Sequence, residues 1–417
     1  MGRIEVPIDP PESELILPDG RRLVRVGEER VEKLAHRASE YYVKVFVKGI
    51  FACPGDSAIP PVQEPIPDDL GHGSKLDVGL YAHFAVEKFC YHMPLNRILE
   101  KMAARDIQIT RQLLSQVLIR SGDAVQPLVR LMEQRILQHG VIFTDDTPVK
   151  IQEKKKCKEG RIWVYGGGKP PDDGKDPPYL VYKFTDGRSY RHPKDFLRNF
   201  TGIFHADAFG AYEDLDQDDT EMQWLACWAH ARRRHYDATS ADPQFRSWIL
   251  RHIRYLFMFE RVAWARSPQE RLKIRADKER PIVDAIFKRL KEEAINPTLL
   301  PKSKPGKAVK YMLKREANFS RYLDHASAHM DNNISERALR KIAVGRKNWL
   351  FIGSEDAGEK QMGLLSLIQT CRNLRVNPQE YLEDIFSRIL THTASKLHEL
   401  LPDQWKAAGE KNDSWET

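Results

Sequence analysis

The sequence predicts an α/β fold: a strand-bearing core interrupted by a helical insertion, with a helical region before it and a small β-containing N-terminal segment. Three observations lead there. Short runs rich in β-branched and aromatic residues recur between Val141 and Ala206, bounded by turn-forming residues. From about 228 to 330 the pattern is helical and basic. Between 76 and 140, apolar residues such as Ile107, Leu113, Leu114, Val117 and Leu118 recur at helical spacing.

Residues 1–70 form the N-terminal segment, where Leu23 to Val26 and Tyr41 to Val47 read as strands. Five prolines from Pro54 to Pro67 (54, 60, 61, 65 and 67) close it with an extended linker. The helical region 71–139 is divided by Pro94 and by a turn at Ser121-Gly122-Asp123. The first part of the core, 140–227, opens with the strand Val141-Ile142-Phe143, which ends at Thr144-Asp145-Asp146-Thr147-Pro148. Ile162 to Tyr165 and Tyr179 to Phe184 are two further strands around a Gly/Pro/Asp loop, 166–178, and Gly202 to Asp207 is a fourth. A helical basic insertion fills 228–330, apart from a Pro/Lys loop at 297–307. The last part of the core, 331–390, holds a helix after Asp331, whose end at Gly345 to Trp349 starts a buried strand reaching Ile352. A Gly-rich turn, an apolar helix near 360–372, a helix from Pro378 to Leu390 and a polar tail, 391–417, follow.

Hydrophobic residues make up 41% of the 417, enough for a sizeable core, and 30% are charged. The net charge is +7 and the isoelectric point about 9.0, a balance that favours an anionic partner such as nucleic acid. The basic residues cluster. Residues 302–321 hold seven Lys/Arg against Glu316 alone, and 337–347 hold five with no acid. The five cysteines (53, 90, 157, 227 and 371) are scattered, odd in number and without a Cys-x-x-Cys, which argues against a disulfide framework and fits a reducing cytoplasm. No apolar stretch reaches the ~18 residues of a membrane span, and the acidic N-terminus has no signal-peptide character. A cytoplasmic protein with no membrane partner is expected.

Three acids stand out. Asp145 and Asp207 follow short β-like runs, and Glu336 lies early in a helix. Alone, each has a bland reading: Asp145-Asp146 as a solvated turn, Asp207 likewise, Glu336 as a surface partner of Arg340. Together, beside basic clusters, they suit a site where separate elements gather carboxylates around hard cations. Two such cations ~3.5–4 Å apart serve phosphoryl transfer, and Mg²⁺, keeping several waters, needs only a few carboxylates. On a helical wheel Glu336 shares a polar face with Asn333, Arg337 and Arg340, opposite Ile334, Ala338, Leu339 and Ile342. Asp146 is the alternative to Asp145; adjacent strand residues face opposite ways, so one of the two enters the site.

The strand order, with acids ending its first and fourth strands, resembles that of ribonuclease-H-like nucleases. More specifically, the chain resembles transposases of the insertion sequence 66 family, in the DDE superfamily, over most of residues 70–405. The resemblance is carried by Asp145-Asp146-Thr147-Pro148-Val149, Asp207-Ala-Phe-Gly-Ala-Tyr212 and Cys227-Trp228-Ala229-His230-Ala231-Arg232-Arg233. The longest piece runs from Asp331-Asn332-Asn333 through Glu336-Arg337 and Arg340 to Gly345-Arg346-Lys347-Asn348-Trp349-Leu350-Phe351. A closing piece holds Cys371, Asn377-Pro378, Tyr381-Leu382, Leu400-Leu401-Pro402 and Trp405. It implies a ribonuclease-H-like core with a helical insertion before the last acid, and Asp145, Asp207 and Glu336 as catalytic ligands of two Mg²⁺, with Mn²⁺ able to substitute. The implied reaction is hydrolysis at element ends, then attack of the freed 3′-hydroxyl on target DNA. The implied partners are DNA, further copies of the chain assembled on it, and accessory proteins encoded by the element. Nucleoid association would follow. Arg232, Arg233, Arg337, Arg340, Arg346 and Lys347 are the expected DNA contacts.

The chain departs from the family at several points. The family has Glu at Asp146, a hydroxylated aromatic at Phe209, paired zinc-binding cysteines near Cys53 and a preceding coiled coil. Only Cys53 of that zinc segment is present here, so no structural zinc is expected, and the N-terminal segment reads as degenerate or truncated. A catalytically impaired DNA-binding remnant is therefore the alternative, and a cellular nuclease on the same fold a third reading. Cys227, His230 and His235 have a metal-like spacing, but a fourth ligand is not evident and a core role is favoured. Trp349 reads as core. Gly166-Gly167-Gly168-Lys169 lacks the nucleotide-loop arrangement and reads as a flexible hairpin.

Overall fold

The computed structural model describes residues 3–17, 20–37, 40–54, 58–152, 157–168, 177–208, 210, 212–213, 215, 221–238, 242–349 and 351–405. Gly55, Lys169, Phe209, Leu350 and the last part of the tail therefore lie outside the described residues. The chain divides into two compact units, one of residues 1–132 with 344–417, the other of residues 133–343. The described residues form fourteen α-helices and two mixed sheets. None of these helices is long and apolar enough to cross a membrane.

The first unit opens with a three-stranded sheet of β1 (Arg3–Ile8), β2 (Val24–Arg37) and β3 (Glu40–Ala52), in the order β1-β3-β2. β2 and β3 form a long antiparallel hairpin, and β1 runs parallel to β3. The two expected strands are present and longer than their apolar runs. β1 escaped notice because charge and proline interrupt it. Leu15, Leu23, Phe51 and Cys53 form a small buried cluster at the open end of the hairpin.

The helix Val78–Phe89 is buried along its whole length and starts where Asp77 accepts the Gly79 N–H, 3.2 Å. Helices Pro378–Arg388 and Glu355–Asn373 pack on it. Pro94 precedes the helix Leu95–Ala103, as its sequence position suggested. The expected turn at Ser121-Gly122-Asp123 is absent: these residues lie inside the helix Arg111–Ala124, and the break comes at Val125. Gly122 is there because another backbone approaches. A Cβ on it would sit 2.5 Å from the Lys360 carbonyl oxygen, so glycine lets the helices Arg111–Ala124 and Glu355–Asn373 touch. The expected strand at Trp349 to Ile352 is also absent. Trp349 still belongs to the helix Asn333–Trp349, half-buried under the Lys88 ammonium and edge-on to Phe89. Its aromatic surface is satisfied there without a sheet, and Ile352 forms only a bridge.

The second unit is built on a five-stranded sheet of β4 (Val141–Gln152), β5 (Cys157–Gly167), β6 (Tyr179–Thr185), β7 (Gly202–Ala206) and β8 (Met222–Ala226). Its order is β6-β5-β4-β7-β8; β4, β5 and β6 are antiparallel, while β7 and β8 run parallel to β4. β4 does not end at Thr144 to Pro148 as expected. It runs on to Gln152 because β5 pairs with it throughout, from Phe143↔Gly166 to Gln152↔Cys157. Its pairing with β7 stops at Phe143↔His205. Past that point this edge carries no strand, which is where Pro148, lacking an N–H, is tolerated. β8 was missed; its five residues are too short to show alternation.

The 228–330 stretch is helical as expected, with helices Trp228–Asp237, Pro243–Ala263, Pro268–Ile274, Arg280–Ala294, Lys304–Leu313 and Glu316–Ser320. The Pro/Lys loop is shorter than expected: the Ser303 hydroxyl accepts the Gly306 N–H, 3.1 Å, and starts a helix in which Pro305 needs no donor. Fully buried Arg275 holds this layer together. It pairs with Glu260 at 2.6 and 2.9 Å and donates to the carbonyls of Tyr322, His325 and Ala328 at 2.7–2.8 Å. Every N–H of its guanidinium is thus taken, and the carbonyl bonds fasten the segment leading to Asp331.

Candidate active site

Register alone places the first two acids. The last parallel pair of β4 and β7 is Phe143↔His205. Asp145 and Asp207 each lie two residues beyond it, so both follow the same end of the paired stretch. Period-two alternation along β4 puts Asp145 on the face that carries Phe143. The rings of Phe143 and His205 stack at 4.5 Å and 9°, and His329 packs edge-on to both. The His329 N–H points at His205 Nε2, 3.4 Å, and its ring stacks on Trp264, 4.0 Å, whose other side carries the Arg271 guanidinium, 3.7 Å. Burial holds both histidines neutral: His205 falls well below its ordinary value and His329 to about 3. An uncharged column thus joins the helical layer to the sheet directly behind the two aspartates.

Glu336 arrives from the helix Asn333–Trp349, in its first turn. Two anchors hold that helix on the sheet. Buried Asn332 donates from Nδ2 to the Thr144 carbonyl, 2.9 Å, beside Asp145, and its own carbonyl accepts the Glu336 N–H, 3.3 Å. The Tyr182 hydroxyl on β6 donates to the Ala338 carbonyl, 3.1 Å. As the wheel indicated, Ile334, Ala338, Leu339 and Ile342 are buried while Arg337 and Arg340 are exposed.

The three acids share one electrostatic site. The Asp145 carboxyl is pushed up to about 8, by burial first, then by the charge of Asp207, with Asp146 and Glu336 adding to it. The Asp146 N–H, donating to Asp145 Oδ1 at 2.8 Å, offsets only part of this. Asp207 and Glu336 remain partly open, at 29% and 34% side-chain exposure. Such a group of oxygens asks for a proton or a cation, and its donors are the hard ligands that Mg²⁺ accepts.

Asp146 takes a different part. Its side chain is 1% exposed and holds two guanidiniums: Arg161 at 3.2 Å and Arg188 at 2.7 and 3.0 Å. Arg188 in turn reaches Asp207 Oδ2, 3.5 Å. So Asp146 bears on the site indirectly, through an arginine beside Asp207. Arg188 and Arg161 carried no motif signal and were not anticipated.

The Cys227-His230-His235 set does not assemble. His235 is buried against Phe245, and burial lowers it to about 4. Cys227 and His230 stand instead with Glu336. Of the expected DNA contacts, Arg232, Arg233, Arg337 and Arg340 are exposed on the second unit; Arg346 (half-buried) and Lys347 (exposed) belong to the first.

Residues 73–360 match the Transposase IS66 family, and residues 366–402 match the IS66 C-terminal element. Similar proteins occur in Sinorhizobium fredii. The uncharacterized protein y4hP is 30% identical over 97% of this chain and 76% of its own length. The uncharacterized proteins y4qI and y4jD are 29% and 28% identical, covering 73% and 80% of their lengths. The chain belongs to the IS66 transposase family.

Proposed function

We propose that the chain is a DNA transposase of the DDE type with a ribonuclease-H-like core, cutting the ends of an insertion sequence and joining them to target DNA. One observation carries this reading. Burial first, then the charge of Asp207 and, last, those of Asp146 and Glu336 raise the Asp145 carboxyl to about 8, so acids more than fifty residues apart in sequence act on one another electrostatically. The β6-β5-β4-β7-β8 order, with one antiparallel side and one parallel side, supports the same reading.

Asp145, Asp207 and Glu336 would hold two Mg²⁺, with Mn²⁺ able to replace them. When bound, these ions supply activation of the attacking oxygen and neutralise charge building on the phosphate and the leaving oxygen. The residues of the chain do the rest. Strand pairing with β5 fixes the direction of Asp145, and Asp207 follows directly on the end of β7. Asn332 sets the height of Glu336 against Thr144. Asp146 keeps Arg188 beside Asp207, so a cation lies next to one of the three anions before DNA arrives. Arg337 and Arg340, exposed on the helix of Glu336, are placed to hold backbone phosphates next to the reacting one, and Arg232 and Arg233 extend that basic surface. Arg346 and Lys347 would add further phosphate contacts.

The test is cleavage and strand transfer on DNA carrying the element ends. Asp145→Ala, Asp207→Ala and Glu336→Ala should each abolish Mg²⁺-dependent cleavage while end binding persists. Normal cleavage by Glu336→Ala would reject the assignment. DNA binding without cleavage by the unmodified chain would favour the remnant reading.

A further inference from the structure

Cys227, His230 and Glu336 form a set that the phosphoryl-transfer reading leaves unused. One sulfur, one imidazole nitrogen and one carboxylate oxygen lie within 4.8 Å of one another. His230 Nε2 stands 3.6 Å from Glu336 Oε1. Cys227 is the residue from which the helix Trp228–Asp237 starts, so His230, three residues on, falls on the same side one turn later. The Asn332 backbone N–H donates to Cys227 Sγ, 3.3 Å, a bond that supports negative charge on sulfur. His230 Nδ1 is buried and makes no hydrogen bond among the described residues.

We propose that Cys227, His230 and Glu336 form a binding site for a thiophilic divalent ion, Zn²⁺ or Co²⁺, with its remaining position open to water. Thiolate, imidazole and carboxylate together suit these ions, whereas Mg²⁺ takes oxygen ligands and gains little from sulfur. Binding replaces the Cys227 proton, which leaves to solvent, so affinity rises with pH. The site is separate from the one proposed for Mg²⁺ in two of its three ligands and shares the third. On the transposase reading, an ion held here draws Glu336 away from Asp145 and Asp207, and Zn²⁺ acts as an inhibitor that Mg²⁺ does not mimic.

Cobalt tests the site without any appeal to catalysis. Co²⁺ added to the metal-free full chain should give a near-ultraviolet thiolate-to-cobalt band saturating at a single equivalent, and Zn²⁺ should bleach it. Cys227→Ser should lose the band. His230→Gln, a change at a partly exposed side chain that should leave the fold intact, should weaken Co²⁺ binding by roughly tenfold or more. Absence of the band in the unmodified chain, or an equal band in Cys227→Ser arising from another cysteine, overturns the proposal. In the cleavage assay, Zn²⁺ at micromolar levels should inhibit the unmodified chain and spare Cys227→Ser. A cobalt band without Zn²⁺ inhibition would keep the binding site and overturn its link to Glu336; cobalt binding in a chain that cleaves nothing would count against the transposase reading alone.

Discussion

Replacing Asp145 by asparagine should change how stability depends on pH. In the folded chain the Asp145 carboxyl holds its proton up to about 8, against an ordinary value of 3.8. Between those values the folded state carries a proton that the unfolded chain has released. Stability from this group is therefore full below 3.8 and is lost as pH rises through about 8. The slope is about 1.4 kcal/mol per pH unit, so between pH 5 and pH 7 the group removes roughly 3 kcal/mol. An asparagine side chain cannot ionise, and its oxygen can still accept the Asp146 N–H as the Asp145 carboxyl does. The assay is urea unfolding of the unmodified chain and Asp145→Asn from pH 5 to pH 8, without divalent ions. The variant should gain on the unmodified chain by roughly 3 kcal/mol between pH 5 and pH 7. Titrating groups that do not interact with Asp145 are common to both and cancel in the difference. Added Mg²⁺ should flatten the unmodified curve, because a cation takes over the work of the proton, and leave the variant nearly unchanged. Parallel profiles, agreeing within about 0.5 kcal/mol across the range, would refute the reasoning that Asp145 is held protonated by burial and by its acidic neighbours.

Three more outcomes follow from particular contacts. Asn332→Ala removes the bond to Thr144 and should lower strand cleavage by about a hundredfold while costing roughly 1–3 kcal/mol of stability; full activity in a folded variant would remove Asn332 from the placement of Glu336. Gly122→Ala, although alanine is the better helix former, should destabilise by about 1–3 kcal/mol, since its Cβ would meet the Lys360 carbonyl at 2.5 Å; a more stable variant in thermal unfolding would contradict the close approach. Arg275→Met strips Glu260 of its buried ion-pair partner and takes one donor from each of three carbonyls, and should cost about 3–5 kcal/mol; a loss below about 1 kcal/mol in denaturant unfolding would show that the network is dispensable.

Much of the second unit was legible because its strands are apolar and its acids follow them. Val141 to Phe143, Ile162 to Tyr165 and Gly202 to Ala206 announce themselves by composition, and the polar face around Glu336 follows from helical spacing. The signals failed where a tertiary partner decides. β4 continues through Asp145, Asp146 and Pro148 because β5 pairs with it, which no local preference encodes. Gly122 looks like a turn residue and is instead a contact point between helices. Trp349 looks like the start of a strand, yet its ring is satisfied by Phe89 and Lys88 at the end of a helix. Arg188 could not be found at all, since its role exists only once Asp146 and Asp207 are neighbours. The Cys227-His230-His235 spacing reads as core, and His235 is buried; that Cys227 and His230 stand beside Glu336, more than a hundred residues away, is decided by tertiary packing.

The equal offset of Asp145 and Asp207 past the last β4–β7 pair has a mechanical consequence. The β4–β7 ladder ends at Phe143↔His205, so each aspartate stands two residues past the same last main-chain pair, which holds the two backbones level up to that point. The third oxygen donor rides on a rod fastened by Asn332 and Tyr182, two joints that can loosen one at a time. Loss of either bond loosens the helix of Glu336 without disturbing the β4–β7 pairing, so that helix is where a governing signal acts with least disruption.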